Sequence, residues 1–442
     1  MNHTKRLIEL ERPPISETAI LVRPAFPEDT DREIEESLEE MRQLGWTAGA
    51  DVVCTFVQHR PKPCPATLVG SGKAAQIKAA CDEREADLVM FDSDLTPAQA
   101  SNLEELLGVK VLDRTQLILD IFAQRAHTNE GKHQVELAQL QYLLPRLTGR
   151  GAVMRQQGGI GVRGPGEQKL EVDRRRIRKR IEHLRAELES VRKHRITQRK
   201  RRSQGAVGTV ALVGYTNAGK SSLLNAMADA DVFVENKLFA TLDPRARLRT
   251  LPSRRQVVFT DTVGFIRKLP HSLVAAFHST LEEVSEAGLL LLVADAAHPA
   301  VEDHIRAVYE VLDEIKAADV PMVHVFNKID IADPGMVSQL QLMWGRNASV
   351  AVSARTGEGL DRLLDIVDAE LASDRQRVTL RIPQSQAGLV ARIHRSGRVL
   401  NQRYEGDDII LEAELDPAMK AQTAQFVQRT PDYPRAPLLE AT

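Results

Sequence analysis

The stretch Thr209-Val210-Ala211-Leu212-Val213-Gly214-Tyr215-Thr216-Asn217-Ala218-Gly219-Lys220-Ser221 decides the fold. Its first five residues are β-branched or apolar and read as a buried strand. The next eight fit G-x-x-x-x-G-K-[ST] completely, and Ser222 to Ala226 continue as a helix. The pattern has a physical cause. Gly214 and Gly219 bring no Cβ, so the backbone can wrap a phosphate chain, while loop amides and a helix N-terminus point at the negative charge. Lys220 is placed to bridge β- and γ-phosphates, and Ser221 to offer an oxygen to Mg²⁺. Gly214 through Ser222 therefore form a candidate nucleotide-binding loop in an α/β domain.

Four shorter motifs follow in a consistent order. Asp261-Thr262-Val263-Gly264 comes after the strand-like Gln256 to Thr260. There Asp261 can hold Mg²⁺ through water and the Gly264 amide can meet a γ-phosphate. Between this and the loop lies Phe239-Ala240-Thr241-Leu242-Asp243-Pro244. Thr241 is the candidate switch residue that closes on Mg²⁺ when a γ-phosphate is present, with Thr250 as the fallback. Asn327-Lys328-Ile329-Asp330 follows the strand-like Met322 to Phe326. A carboxylate at Asp330 accepts from both N1–H and the exocyclic amine of guanine, a donor pair that adenine lacks. Ser353-Ala354-Arg355 follows Ala348 to Val352, with the Ala354 amide within reach of guanine O6. The set implies a P-loop GTPase. Lys220, Thr241 and Gly264 are its candidate catalytic residues, Ser221, Thr241 and Asp261 its candidate metal ligands, and the other motif residues its GTP contacts.

Phe265 stands directly after Gly264, where many small GTPases carry a water-orienting Gln. Phenylalanine cannot orient water, so intrinsic hydrolysis is expected to be slow, whether Phe265 has a role or is core. Asn217, inside the loop, raises K⁺ as a second candidate cofactor beside Mg²⁺. The alternative is that Asn217 only stabilises the loop conformation.

Outward from this domain, residues 16 to about 125 alternate strand-like stretches (Ala19 to Val22, Asp51 to Val57, Leu68-Val69, Asp87 to Phe91, Val109 to Leu112) with helical ones. Ile34, Leu38, Met41 and Leu44 recur at helical spacing. This predicts an open α/β domain over 1–130. Gly70-Ser71-Gly72-Lys73 fails the phosphate-loop spacing, since Thr67 replaces the first Gly and Ala74 the Ser/Thr. A Gly-rich turn opening a helix is the simpler reading.

Residues 131–204 predict a helical hairpin. Leu137, Leu140, Leu144 and Leu147 form one narrow apolar stripe, and Ile177, Ile181, Leu184, Leu188 and Val191 a second. Thr148 to Gly166 between them holds seven glycines, Arg150, Arg155 and Arg163, and no acidic residue. That is either a plain connector or an anion-seeking tip whose arginines meet phosphates and bases. From Arg174 to Arg202 there are 14 Lys/Arg against 3 Asp/Glu, a local net charge of +11 in a chain whose total is −2. Charge segregated this sharply points to a polyanion. Arg150, Arg155, Arg163, Lys169, Arg174, Arg175 and Arg176 are the candidate RNA contacts. The GTPase domain is assigned to 205–372. Residues 373–442 predict a small α+β domain with strands at Val378 to Ile382, Val399 to Arg403 and Asp408 to Glu414, and helices at Ala387 to His394 and Pro417 to Gln428.

With these motifs in place the chain resembles the HflX family of translational GTPases. The family-level signature is Gly158-Gly159-Ile160-Gly161, then Arg163-Gly164-Pro165-Gly166-Glu167-Gln168-Lys169-Leu170, then Asp173-Arg174-Arg175-Arg176-Ile177. The resemblance implies a GTPase that binds the large ribosomal subunit and its RNA and splits stalled ribosomes into subunits. A GTP-switched RNA-binding factor in ribosome assembly shares every motif and is the alternative. A membrane-associated signalling GTPase is disfavoured, because no lipidation motif or membrane helix is present.

Composition narrows the class. Hydrophobic residues make up 43% and charged residues 27%, as in an ordinary globular protein rather than a disordered or fibrous one. Three cysteines, with no C-x-x-C pair, exclude a disulfide scaffold and argue against a zinc site. The longest apolar runs, such as Gly288 to Ala294, fall short of a membrane span, and Met1 to Pro14 does not read as a signal peptide. A monomer in a reducing cytoplasm is expected, with a membrane-associated fraction as a further location and no integral membrane association.

Overall fold

The structure, a computed structural model, describes residues 17–147, 165–203, 208–227, 239, 245–267, 283–344, 348–373, 376–396, 398–415 and 417–428. The chain begins with β1 (Glu17–Ala25), α1 (Asp31–Ala48), β2 (Ala50–His59), α2 (Ser71–Arg84), β3 (Leu88–Phe91), α3 (Pro97–Leu107), β4 (Lys110–Asp113) and α4 (Arg114–Arg125). The four strands form a parallel sheet in the order β2-β1-β3-β4. Thr30 caps α1 in a reciprocal box with Glu33, and the stripe Ile34, Leu38, Met41 and Leu44 is buried on the sheet. Each of those side chains contributes about 1.5–3 kcal/mol on burial, so the stripe outweighs any surface ion pair on the same helix. Leu68-Val69 is not a strand. Leu68 exchanges two backbone hydrogen bonds with Cys64 across a tight loop, and both apolar side chains are buried in the connection to α2. Gly70 precedes α2 as its N-cap, and Lys73 lies 5.4 Å over the Phe56 ring.

Then come α5 (Asn129–Arg146) and the 39-residue α6 (Pro165–Ser203). They run antiparallel: His133 pairs with Glu187, and Glu136 accepts from Arg180 Nε and Nη2, each at 2.7 Å. Leu137, Ile181 and Leu184 form the buried seam, with Leu140, Leu144, Ile177 and Leu188 packed against it. The two predicted stripes thus bury each other, except for Leu147 and Val191, which fall outside the seam. The half-exposed ion pairs set register at no more than about 1 kcal/mol each.

The third unit contains β5 (Gly208–Gly214), α7 (Lys220–Met227), β6 (Arg245–Thr250), β7 (Gln256–Asp261), β8 (Leu289–Asp295), α8 (Val301–Glu314), β9 (Met322–Asn327), α9 (Pro334–Trp344), β10 (Ser349–Ala351) and α10 (Leu360–Ser373). Its sheet runs β10-β9-β8-β5-β7-β6, parallel except for β6. Two apolar clusters flank it, one on α8 and α9, the other on α7 and α10. β6 pairs Arg245 with Asp261 and Thr250 with Gln256. Thr250, the fallback switch residue, therefore sits at the opposite end of β7 from Asp261, about 17 Å away at strand rise, and is excluded.

The last unit is β11 (Gln376–Pro383), α11 (Ala387–Ser396), β12 (Arg398–Glu405), β13 (Asp408–Leu415), α12 (Pro417–Thr423) and β14 (Val427–Gln428). Its sheet order is β12-β13-β11-β14. The helix expected over Pro417 to Gln428 stops at Thr423, because Val427 leaves to pair with Leu380 on β11. Among the described residues no helix is long and apolar enough to cross a membrane.

Candidate functional site

The site forms at the C-terminal ends of β5, β7, β8, β9 and β10, where open α/β sheets bind ligands. After Gly214 the chain turns sharply through Asn217, at φ 61°, and Gly219, at φ 93°. A Cβ on Gly219 would lie 2.2 Å from Asn327 Nδ2, so only glycine leaves room for that amide. Lys220 opens α7 and is 6% exposed. Its Nζ donates to the carbonyls of Gly214 (3.0 Å) and Tyr215 (2.9 Å), which folds the side chain back over the loop. Burial lowers its pKa to about 8.

The segment after β7 is clamped to this loop. Phe265 N donates to Gly214 O at 3.1 Å and Thr216 N to Phe265 O at 2.8 Å. Gly264 lies so close that a Cβ there would be 2.9 Å from Thr216 Cα and 3.1 Å from Lys220 Nζ. Ser221 Oγ donates to Asp261 Oδ2 at 2.5 Å, while Asp261 Oδ1 is buried with no hydrogen-bond partner among the described residues. Thr262 is buried, its hydroxyl on Leu212 O. The Phe265 ring is 1% exposed and belongs to the core beneath α8.

The base-side motifs meet through Asn327, itself 1% exposed. Its Nδ2 donates to Ala218 O (2.9 Å) and its Oδ1 accepts from Ala354 N (3.0 Å), which ties three loops together. Ser353 Oγ donates to Asp330 Oδ1 at 2.8 Å, and the exposed Arg355 guanidinium lies 3.7 Å from Asp330 Oδ2. Lys328 pairs with Asp295 at 2.6 Å. Asp295, at the end of β8, had no motif to mark it.

So the structure brings together Gly214 through Ser222, Asp261 through Gly264, Asn327, Lys328, Asp330, Ser353, Ala354 and Arg355. Ala240 and Thr241 lie outside the described residues, as do Arg150, Arg155 and Arg163. Lys169 is on the α6 backbone, its side chain undescribed. Arg174 is half-buried on α6, while Arg175 and Arg176 are exposed there. Phe239 needs correcting as a nucleotide contact: its ring is 2% exposed and packs edge-on against Phe122 of α4, centroids 4.7 Å apart. The ring is a core residue, because burial of an aromatic ring outweighs its exposure to a polar ligand.

That contact belongs to a junction the sequence did not disclose. Tyr215 is tied by its hydroxyl to Glu40 of α1 and accepts from Arg267 N at 2.8 Å. Its ring stacks on His304 of α8 at 3.8 Å. Arg114 of α4 bonds Glu40, Asp92 (2.9 Å) and the Arg267 carbonyl (3.2 Å), and Arg267 reaches Glu36 at 3.2 Å. Burial, with His298 and Arg267 nearby, drops the His304 pKa to about 3, so that ring is neutral in the stack. α1 thereby rests on the phosphate loop itself.

Comparison with known proteins agrees with this architecture. Residues 35–123 match a GTP-binding GTPase N-terminal family model and 125–202 the middle region of the same GTPases. Residues 209–328 match a 50S ribosome-binding GTPase model, and 340–431 the HflX C-terminal domain. The GTPase HflX of Caldanaerobacter subterraneus is 46% identical over 93% of this chain and 94% of its own length. That of Lacrimispora saccharolytica is 45% identical over 95% and 97%, and that of Escherichia coli 44% over 88% and 91%. A nucleotide loop, its companion motifs and whole-length similarity coincide, and the chain belongs to the HflX family of GTPases.

Proposed function

We propose that this GTPase binds the large ribosomal subunit through its helical hairpin and uses GTP to split stalled ribosomes into subunits in the cytoplasm. The observation that carries the reading is the hairpin. α6 is 39 residues long, basic, and braced by α5 along one buried seam, and the Gly- and Arg-rich segment joins these two helices in sequence. A match to a 50S ribosome-binding GTPase model supports the same partner. Sucrose-gradient profiles of joined ribosomes with protein and GTP test it. Free subunits are expected; binding confined to immature particles would instead indicate an assembly factor.

In this reading Lys220 and the Gly264 amide meet the β- and γ-phosphates, Asp330 and Ala354 read guanine, and Thr241 closes the switch. The residues present fit Mg²⁺. Ser221 and Asp261 supply hard oxygen donors in contact, and the unpaired Asp261 Oδ1 is a free acceptor at the same point. Mg²⁺ held there with Thr241 would neutralise charge on the β- and γ-phosphate oxygens. K⁺ is the second cation proposed. Asn217 is exposed in the left-handed conformation, and its side chain has no partner among the described residues. That favours an available carbonyl over an amide spent on the loop. GTPase rates at equal KCl and NaCl are expected to show a several-fold advantage for potassium that Asn217→Ala abolishes; equal rates remove the ion.

Replacing Arg150, Arg155 and Arg163 together with Ala is expected to weaken binding to large subunits and make its salt dependence shallower by about 2 in log–log slope, with GTP affinity unchanged. Unaltered pelleting with ribosomes at every salt concentration makes that segment a connector only.

A further inference from the structure

The burial of Phe265 leaves no side chain after Gly264 to hold the attacking water. A different polar group stands on the other side of that glycine. Thr216 is 6% exposed, and its Oγ1 is buried with no hydrogen-bond partner among the described residues. A hydroxyl sealed off in this way is costly, and natural proteins keep such groups where a ligand or a reaction completes them. Its place is informative. The Thr216 methyl and Cα crowd the Cβ position of Gly264 at 2.9 Å, and Lys220 Nζ lies 3.1 Å from the same point. Thr216 N is fixed to Phe265 O, so this side chain is locked to the segment that a γ-phosphate orders. Thr216 also borders a cavity of about 310 Å³ between α1 and the phosphate loop, with Asn217, Glu40 and His304 in its wall.

We propose that the Thr216 hydroxyl orients the attacking water at the γ-phosphate, in the role that the side chain after Gly264 plays in many GTPases. The inference rests on the reading of Gly214 through Ser221 as the phosphate site. In the step itself the water oxygen forms a bond to the γ-phosphorus as the bond to the β,γ-bridging oxygen breaks. The bonding pair leaves with GDP, and both protons of the water end on the released phosphate. Thr216 accepts a hydrogen bond from the water and is unchanged at the end. Position, not proton transfer, is its contribution.

The test uses the full chain with Thr216→Val, which keeps the methyl against Gly264, and Thr216→Ser, which keeps the hydroxyl. Single-turnover GTP hydrolysis and titrations with GDP and a non-hydrolysable GTP analogue are measured on each. Thr216→Val is expected to slow hydrolysis about 10- to 100-fold, the worth of one positioned hydrogen bond, with both affinities within about twofold. Thr216→Ser is expected to stay within about threefold of the wild-type rate. Wild-type hydrolysis by Thr216→Val overturns the proposal. Loss of analogue affinity does so too, since it moves the hydroxyl onto the phosphate, and so does equal loss of rate and GDP binding in both variants. Failure of the underlying site reading has a separate signature, intact GTP binding by Asp330→Asn.

Discussion

Asp330→Asn is expected to lower GTP affinity by about two orders of magnitude while xanthosine triphosphate gains. The Asp330 carboxylate accepts from Ser353 Oγ at 2.8 Å and keeps its other oxygen toward the exposed Arg355. An amide there presents a donor to the guanine N1–H and exocyclic amine. Two charge-assisted hydrogen bonds lost together cost about 3 kcal/mol, which is roughly a hundredfold. Xanthine carries a carbonyl where guanine has its amine, so the same amide then finds an acceptor. A nucleotide titration in which GTP binds Asp330→Asn as tightly as wild type removes the guanine role.

Asn327→Ala is expected to weaken GTP and GDP alike, by about a hundredfold, and to lower the unfolding midpoint. The side chain contacts no motif by chance: it spans from Ala218 O to Ala354 N and is 1% exposed. Truncation leaves a carbonyl and an amide unpaired in a dry place, a penalty of about 1–3 kcal/mol each. It also frees the phosphate loop from the loop that reads the base. Calorimetric titration with both nucleotides and a thermal melt check this. Equal nucleotide affinity in the variant would show that the two loops hold their places independently.

The nucleotide motifs were legible because each is contiguous and local physics dictates it: a strand, a turn that glycine permits, and a helix start within a dozen residues. The hairpin was legible for the same reason, through two stripes of fixed spacing. Legibility failed where distant residues decide. Leu68-Val69 is apolar because it is buried, and burial in a loop looks like burial in a strand. The C-terminal helix looked continuous to Gln428, yet pairing of Val427 with Leu380, 47 positions away, outcompetes its last turn. Tyr215 stood among the expected GTP contacts of the phosphate loop, but its hydroxyl partner Glu40 is 175 residues distant and nothing near either residue announces the other. The pairing of β6 with β7, which places Thr250 at the wrong end of the sheet, is equally silent in spacing alone.

α6 joins the hairpin to β5 with only four residues between Ser203 and Gly208. A helix of 39 residues is about 58 Å long. It is thus a boom mounted almost directly on the strand that carries the phosphate loop. As a free rod, turning its base by about 5° would sweep the far end through about 5 Å. The seam with α5 opposes such a swing, and Arg146 at the C-terminal end of α5 is held by Asp113 and the Leu95 carbonyl, so the lever moves only if its brace and that anchorage move with it.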